Sequence, residues 1–348
     1  MTQSAAHLSV IETTKPEHAD AFRRTYQALL HETLQLTTSQ IRRQLASADI
    51  RSSESSTDAS LNTEALATMF VLCHLEMLVP ESPAWNIHLR AFQIAAERDV
   101  ITHRLDSVDP LVLFLKQSVA NISGAFKFPA TEEADKRPEG TIEQRTFSHK
   151  IWAFTAIIQE VSDLERKMHQ LRQSEVYPAN IDMAPWRSRL DLARMMALSS
   201  TSGLWSDASA ARNTFCSVVN SHYCAGLIYG HQEMATPHYA VDPAVDSAFV
   251  TLIQGLQAVT TSTVRDFDHD LFWPLFIAGT QIGANSVHQV LVDETFVKLI
   301  MSTGLWCNSK ALRFLKQFWS ESAATEMQSS WIEYARSVEA EFGSFLVY

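Results

Sequence analysis

The 348-residue sequence is poor in the residues that turn a chain, with 10 glycines and 11 prolines, whereas glycine alone ordinarily makes up roughly 7% of a protein. So few breaks exclude a fold of many short strands and leave long helices as the expectation. Cysteine is also scarce. Cys73, Cys216, Cys224 and Cys307 show no disulfide-like spacing, no signal peptide precedes them, and no apolar run reaches the roughly 20 residues that span a bilayer. An intracellular protein with reduced thiols is therefore expected. Long basic runs are missing as well. The balance of 28 Lys and Arg against 39 Asp and Glu leaves a net charge of −11. Arg42-Arg43 and Lys136-Arg137 are isolated pairs, so direct binding to nucleic acid is not expected. The sequence lacks a Gly-x-Gly-x-x-Gly turn, a phosphate-binding Gly-Lys-Ser/Thr loop, a Gly-x-Ser-x-Gly elbow and a His-Glu-x-x-His pair. Nucleotide-dependent and zinc-protease chemistry have nothing to stand on, and no cofactor is implied.

What is present is concentrated in LFWPLFIAGTQIG, residues 271–283. This run is too short for a membrane span and reads as a buried helix. Pro274 is tolerated only near its first turn, and Gly279 and Gly283 fall on one face where a second helix can approach closely. Its entrance is acidic, Asp266-Phe267-Asp268-His269-Asp270.

Helical periodicity recurs along the rest of the chain. Residues 17–45 read as an amphipathic helix. Leu66, Met69, Phe70, Cys73 and Met77 form a stripe ended by Pro80, and Ser82-Pro83 restarts a helix to about residue 95. Residues 111–128 and 151–168 are helical. So are 190–204, 208–229 (core stripe Phe215, Val218, Val219, Tyr223, Leu227) and 244–259 (Ala248, Leu252, Leu256, Val259). Residues 287–300, 308–319 and 326–345 complete the set. The polar stretches at about 51–60 and 129–142 are expected to be mobile loops, and 177–186 a connector. No run alternates well enough to be a strand. The predicted fold is all-α, a single large domain of roughly ten to twelve helices with no sheet.

Candidate chemistry is sparse. Cys216, His222 and Cys224 are zinc-ligand types. Helical steps spread them around the axis, so core cysteines beside a polar histidine is the better reading, and no metal site is expected. His269 between Asp268 and Asp270 is the most promising acid–base group, since a neighbouring carboxylate favours the imidazolium. The competing reading is an acid-rich helix start with Asp268 or Asp270 as its cap. His231 and Glu76 are further candidates. Trp85, His88, Tyr223, Tyr229 and Trp273, with Trp306 and Trp319, are candidates to line a ligand pocket; the alternative is plain core.

The landmarks together resemble the helical C-terminal regulatory domain of fungal zinc-cluster transcription factors. They are SAAHL at 4–8, LATMFVLCHLE at 66–76, AWNIHLRAF at 84–92, FWPLFIAG at 272–279, NSKALRFLKQFW at 308–319 and Trp331. The resemblance implies an all-α domain that regulates a DNA-binding module through a small metabolite or a partner protein. The six-cysteine zinc cluster and basic linker of that family are not in this sequence, and SAAHL begins at residue 4. The expectation is a regulatory protein without its own DNA-binding module, in nucleus or cytoplasm. It is expected to bind a metabolite or another transcription factor and to be linked to fungal secondary metabolism. The alternative is a cofactor-independent isomerase, epimerase or cyclase that uses His269, Asp268, Asp270, His231 and Glu76 as acid–base groups.

Overall fold

In the computed structural model, the described residues are 57–77, 126–128, 151–173, 182–203, 209–234, 243–283, 286–325, 330–342 and 345–347, with the single positions 28, 32, 88, 89 and 91. The predicted helices at 17–45 and 82–95, the loop at 129–142 and Trp85 lie outside them, apart from those single positions. The chain divides into two compact units. One comprises 1–123 with 304–307, and the other 124–303 with 308–348.

In the first unit, α1 runs Thr57–Met77, so it starts inside the stretch expected to be loop at 51–60. Thr57 and Asp58 are residue types that suit a helix start, which a serine-rich composition conceals. Leu72, Cys73, Leu75 and Met77 are buried. The Cys307 backbone N–H donates to the Met77 carbonyl at 3.0 Å, three residues after Gly304, whose φ of 73° favours glycine.

The second unit contains the remaining helices: α2 (Trp152–Gln173), α3 (Ala184–Ser199), α4 (Ala210–Met234), α5 (Pro243–Thr261), α6 (Phe272–Gln281), α7 (Val287–Thr303), α8 (Asn308–Thr325), α9 (Trp331–Ser337) and α10 (Glu339–Phe342). Ten α-helices among the described residues make the fold all-α, as the periodicity predicts. One departure from a sheet-free fold is a two-stranded antiparallel ribbon, β1 (Phe126–Phe128) with β2 (Phe345–Val347), paired Phe126 to Val347 and Phe128 to Phe345. Three residues of Phe, Leu and Val suit a strand but are too few to show an alternation in sequence. They fall at the ends of the helices expected at 111–128 and 326–345. α3 begins at Ala184, within the expected connector, because Pro185 serves as a first-turn proline instead of a breaker.

α4 is the hub, packing against α2, α3, α5 and α6. A helix covered on several sides buries more than one stripe, and Val218, Val219, His222, Ala225, Ile228 and Tyr229 are all buried. Tyr223 and Leu227, expected in the core, are only half-buried. α6 is buried from Phe272 to Thr280, and Pro274 is its third residue, as its sequence requires. Its Gly279 lies against α8. A Cβ there would come within 2.6 Å of Leu315 Cδ1, and the Gly279 carbonyl accepts the Trp319 indole N–H at 2.9 Å. Gly283, expected to admit a helix in the same way, faces open space with nothing within 4 Å. The Arg336 guanidinium on α9 pairs with the buried Glu165 carboxylate on α2.

Candidate functional site

The acidic turn before α6 is a 3-10 turn, Asp268–Leu271. Neither that turn nor α6 has a side-chain cap, so the capping role expected of Asp268 or Asp270 is not what the acids do. Asp268 is buried, and its Oδ2 accepts the Ser302 hydroxyl of α7 at 3.0 Å. Its Oδ1 lies 3.8 Å from the Arg265 guanidinium. The His269 side chain is half-exposed with Nε2 3.5 Å from Asp270 Oδ1. Asp270 acts through its backbone, where its carbonyl accepts His222 Nε2–H at 2.7 Å. His269 thus lies beside the Asp270 carboxylate, while the Asp268 carboxylate is engaged separately by Ser302 and Arg265.

The sequence places His222 as a polar residue beside core cysteines. Cys224 beside it is buried, its thiol pushed up to about 11 by burial, with Arg194 opposing. His222 itself is a core residue of α4, sandwiched between the rings of Phe154 at 6.0 Å and Trp273 at 5.6 Å. Burial is the main influence on it and holds its pKa below the ordinary 6.5, against the opposing pull of Asp270. With Nε2 donating to a carbonyl, the neutral ring keeps Nδ1 as a buried acceptor with no hydrogen-bond partner among the described residues. Its place on the stripe with Phe215, Val218 and Tyr229 was the signal that could have identified it.

Two α4 candidates, Tyr229 and His231, line a narrow cleft between α2, α3 and α4. Ile157, Ile158 and Val161 of α2 and Trp186 and Leu190 of α3 form its walls. Gly226 and Gly230 let α4 approach closely. A Cβ at Gly226 would meet Leu190 at 2.9 Å, and one at Gly230 would meet Met183 at 3.1 Å. Two glycines four apart on one helix, in a chain with only 10 glycines, are a sequence signal of close approach. Tyr229 is buried, and its hydroxyl lies 2.6 Å from Ser162 Oγ. Ser162 in turn donates to the Ile158 carbonyl at 3.0 Å, so the tyrosine is the donor. Behind the cleft, the Tyr229 ring meets Trp273 edge-on at 6.3 Å and Trp331 at 6.3 Å. Trp331 donates to Gln232 Oε1 at 3.0 Å. The result is a narrow, mostly apolar cleft with an oriented phenol in its wall and with Arg187 and the half-buried His231 among its lining.

The other candidates sit elsewhere. Tyr223 stacks under the Arg194 guanidinium at 4.7 Å. Trp319 is a core residue bound to Gly279. Glu76 and His88 belong to the first unit, with Trp306. Glu76 is buried there. Burial lowers the His88 pKa while the Glu76 charge opposes it. Among the described residues, no group of three His, Cys, Asp or Glu side chains could hold a metal ion.

Residues 153–342, more than half of the chain, match the family described as the fungal specific transcription factor domain. The chain belongs to this family. Of the sequence landmarks, FWPLFIAG, NSKALRFLKQFW and Trp331 fall within the matched region, which spans α2 to α10, while SAAHL and the stretches at 66–76 and 84–92 precede it. Membership supports a regulatory role. No curated protein and no solved structure matches the chain. No described helix is long and apolar enough to cross a membrane.

Proposed function

We propose that this chain regulates transcription in response to a small apolar metabolite, of the kind fungal secondary metabolism produces, bound in the cleft between α2, α3 and α4. The observation that carries the reading is the placement of that cleft within the family-matched region, with apolar walls and the Tyr229 hydroxyl held by Ser162. A ligand there touches α4, the helix on which four others pack, so its binding energy acts on the centre of the unit. In this reading the chain acts in the nucleus with another transcription factor, and DNA is contacted by that partner. The isomerase alternative draws no support from the cleft. Of its proposed acid–base groups only His231 lines it, and Asp268, His269 and Asp270 surround a different turn.

The test pairs a deletion strain with a cleft-blocking variant. Leu227→Trp places an indole in the cleft, where Leu227 is half-buried. Deletion is expected to change the transcripts of a gene set, and Leu227→Trp to reproduce that change at normal protein abundance. An unchanged transcript profile on deletion would sink the regulatory reading. A profile altered by deletion but restored fully by Leu227→Trp would remove the cleft from it.

A further inference from the structure

α7 is apolar on two opposite faces. Val292, Phe296, Leu299 and Ile300 are buried against the core. On the other side, Val287, Val290, Val297 and Met301 are 81%, 60%, 49% and 39% exposed. With Glu294 they succeed one another at alternating steps of three and four residues, and a helical wheel gathers the five into an arc of roughly 80°. Single exposed valines need no explanation. Four on one stripe with coiled-coil spacing, on the face where a surface helix is normally polar, describe a surface made to meet another helix.

Charge selects the occupant. The charges beside the stripe are engaged, Asp293 with the Lys316 ammonium at 2.7 Å and the Lys298 ammonium with the Thr260 carbonyl at 2.6 Å. Glu294, exposed in the middle of the stripe, has no ion-pair partner among the described residues. A second copy of this chain paired in register, parallel or antiparallel, would set Glu294 against Glu294 on two bodies each carrying −11, which like-charge repulsion disfavours. A basic segment is instead attracted both by the whole molecule and at that one position.

We propose that the outer face of α7 docks an amphipathic helix of another protein, one that presents apolar residues at the same alternating spacing and a lysine or arginine opposite Glu294. The interaction is independent of the α2–α3–α4 cleft.

The test uses the full chain and two synthetic helical peptides, identical in their leucine seam, one with a central lysine and one with a central glutamate. Fluorescence anisotropy is expected to show the lysine peptide binding about tenfold more tightly at low salt, the preference shrinking as salt rises. Glu294→Lys is expected to invert the preference. Val290→Asp with Val297→Asp is expected to abolish binding of both peptides while circular dichroism stays that of the natural chain. Absence of binding, equal binding of both peptides, or an unchanged ranking in Glu294→Lys would overturn the proposal. So would a dimer of this chain that Val297→Asp disperses in sedimentation equilibrium, which would make the occupant a second copy.

Discussion

His222 shows how burial turns a titratable residue into a stability term. Desolvation between Phe154 and Trp273 lowers its folded pKa below 6.5, with Asp270 opposing. The unfolded chain, where the imidazole keeps its ordinary value, then takes up the proton first. Stability from this group is therefore complete above the ordinary value and is lost as pH falls through 6.5 toward the folded value. His74 and His88, also lowered mainly by burial, act in the same direction. The urea midpoint is accordingly expected to drop on acidification through that window, and His222→Gln to flatten the drop without removing it. A midpoint that rose toward low pH in the natural chain would contradict the assignment. Around the same ring, Trp273 is 3% exposed and stacked on His222, so Trp273→Ala is expected to cost roughly 3–5 kcal/mol in urea denaturation. His269, four positions away and half-exposed, is expected to lose no more than about 0.5 kcal/mol on conversion to alanine.

The helices differ in how openly their sequences announce them. α6 is legible almost residue by residue. Its apolar run means burial on all sides, Pro274 places the start, and Gly279 marks the contact that Leu315 of α8 makes. Gly283 looks the same in sequence, yet it follows the helix end at Ile282 and meets nothing. Spacing alone cannot tell a glycine under a neighbouring helix from one beyond the last turn. Substitution separates the two. Gly279→Ala pushes a methyl group into Leu315, which is itself fully buried and has little room to yield, and is expected to lower stability by about 1–3 kcal/mol. Gly283→Ala is expected to change it by less than about 0.5 kcal/mol. Equal effects, measured by thermal or urea unfolding, would mean that α8 does not lie where Leu315 places it. The β1–β2 ribbon was invisible for a different reason. Its partners are more than 200 residues apart, 126–128 and 345–347, and each is too short to carry a pattern of its own.

At the scale of the whole molecule, the all-α class and the family were both legible, because composition and helical periodicity sum over hundreds of residues. The cleft was not. Its walls come from 157–161, 186–190 and 226–231, segments whose juxtaposition no local pattern encodes, and only Tyr229 and His231 had been singled out for function. The charge of the whole chain is a property that sequence does fix, and it bears on the division of labour proposed here. Non-specific affinity for duplex DNA grows with the number of phosphates that lysine and arginine neutralise. Here 28 such residues face 39 acids. Several cations are already engaged within the fold, Arg166 with Asp163, Arg189 with Glu160, Lys316 with Asp293 and Arg336 with Glu165. Acids outnumber cations over the whole chain, and the net −11 repels the polyanion within a Debye length of roughly 8 Å at physiological salt. The 348-residue chain is therefore expected to leave the mobility of a random-sequence duplex unchanged in a gel-shift titration at about 0.15 M salt, even at high protein excess. Lowering the salt is expected to bring no more than weak retardation. Retardation that persisted at that salt, with an apparent affinity falling steeply as salt is raised further, would reveal a concentrated basic surface on this chain. DNA contact would then have to be assigned to it and not to a partner.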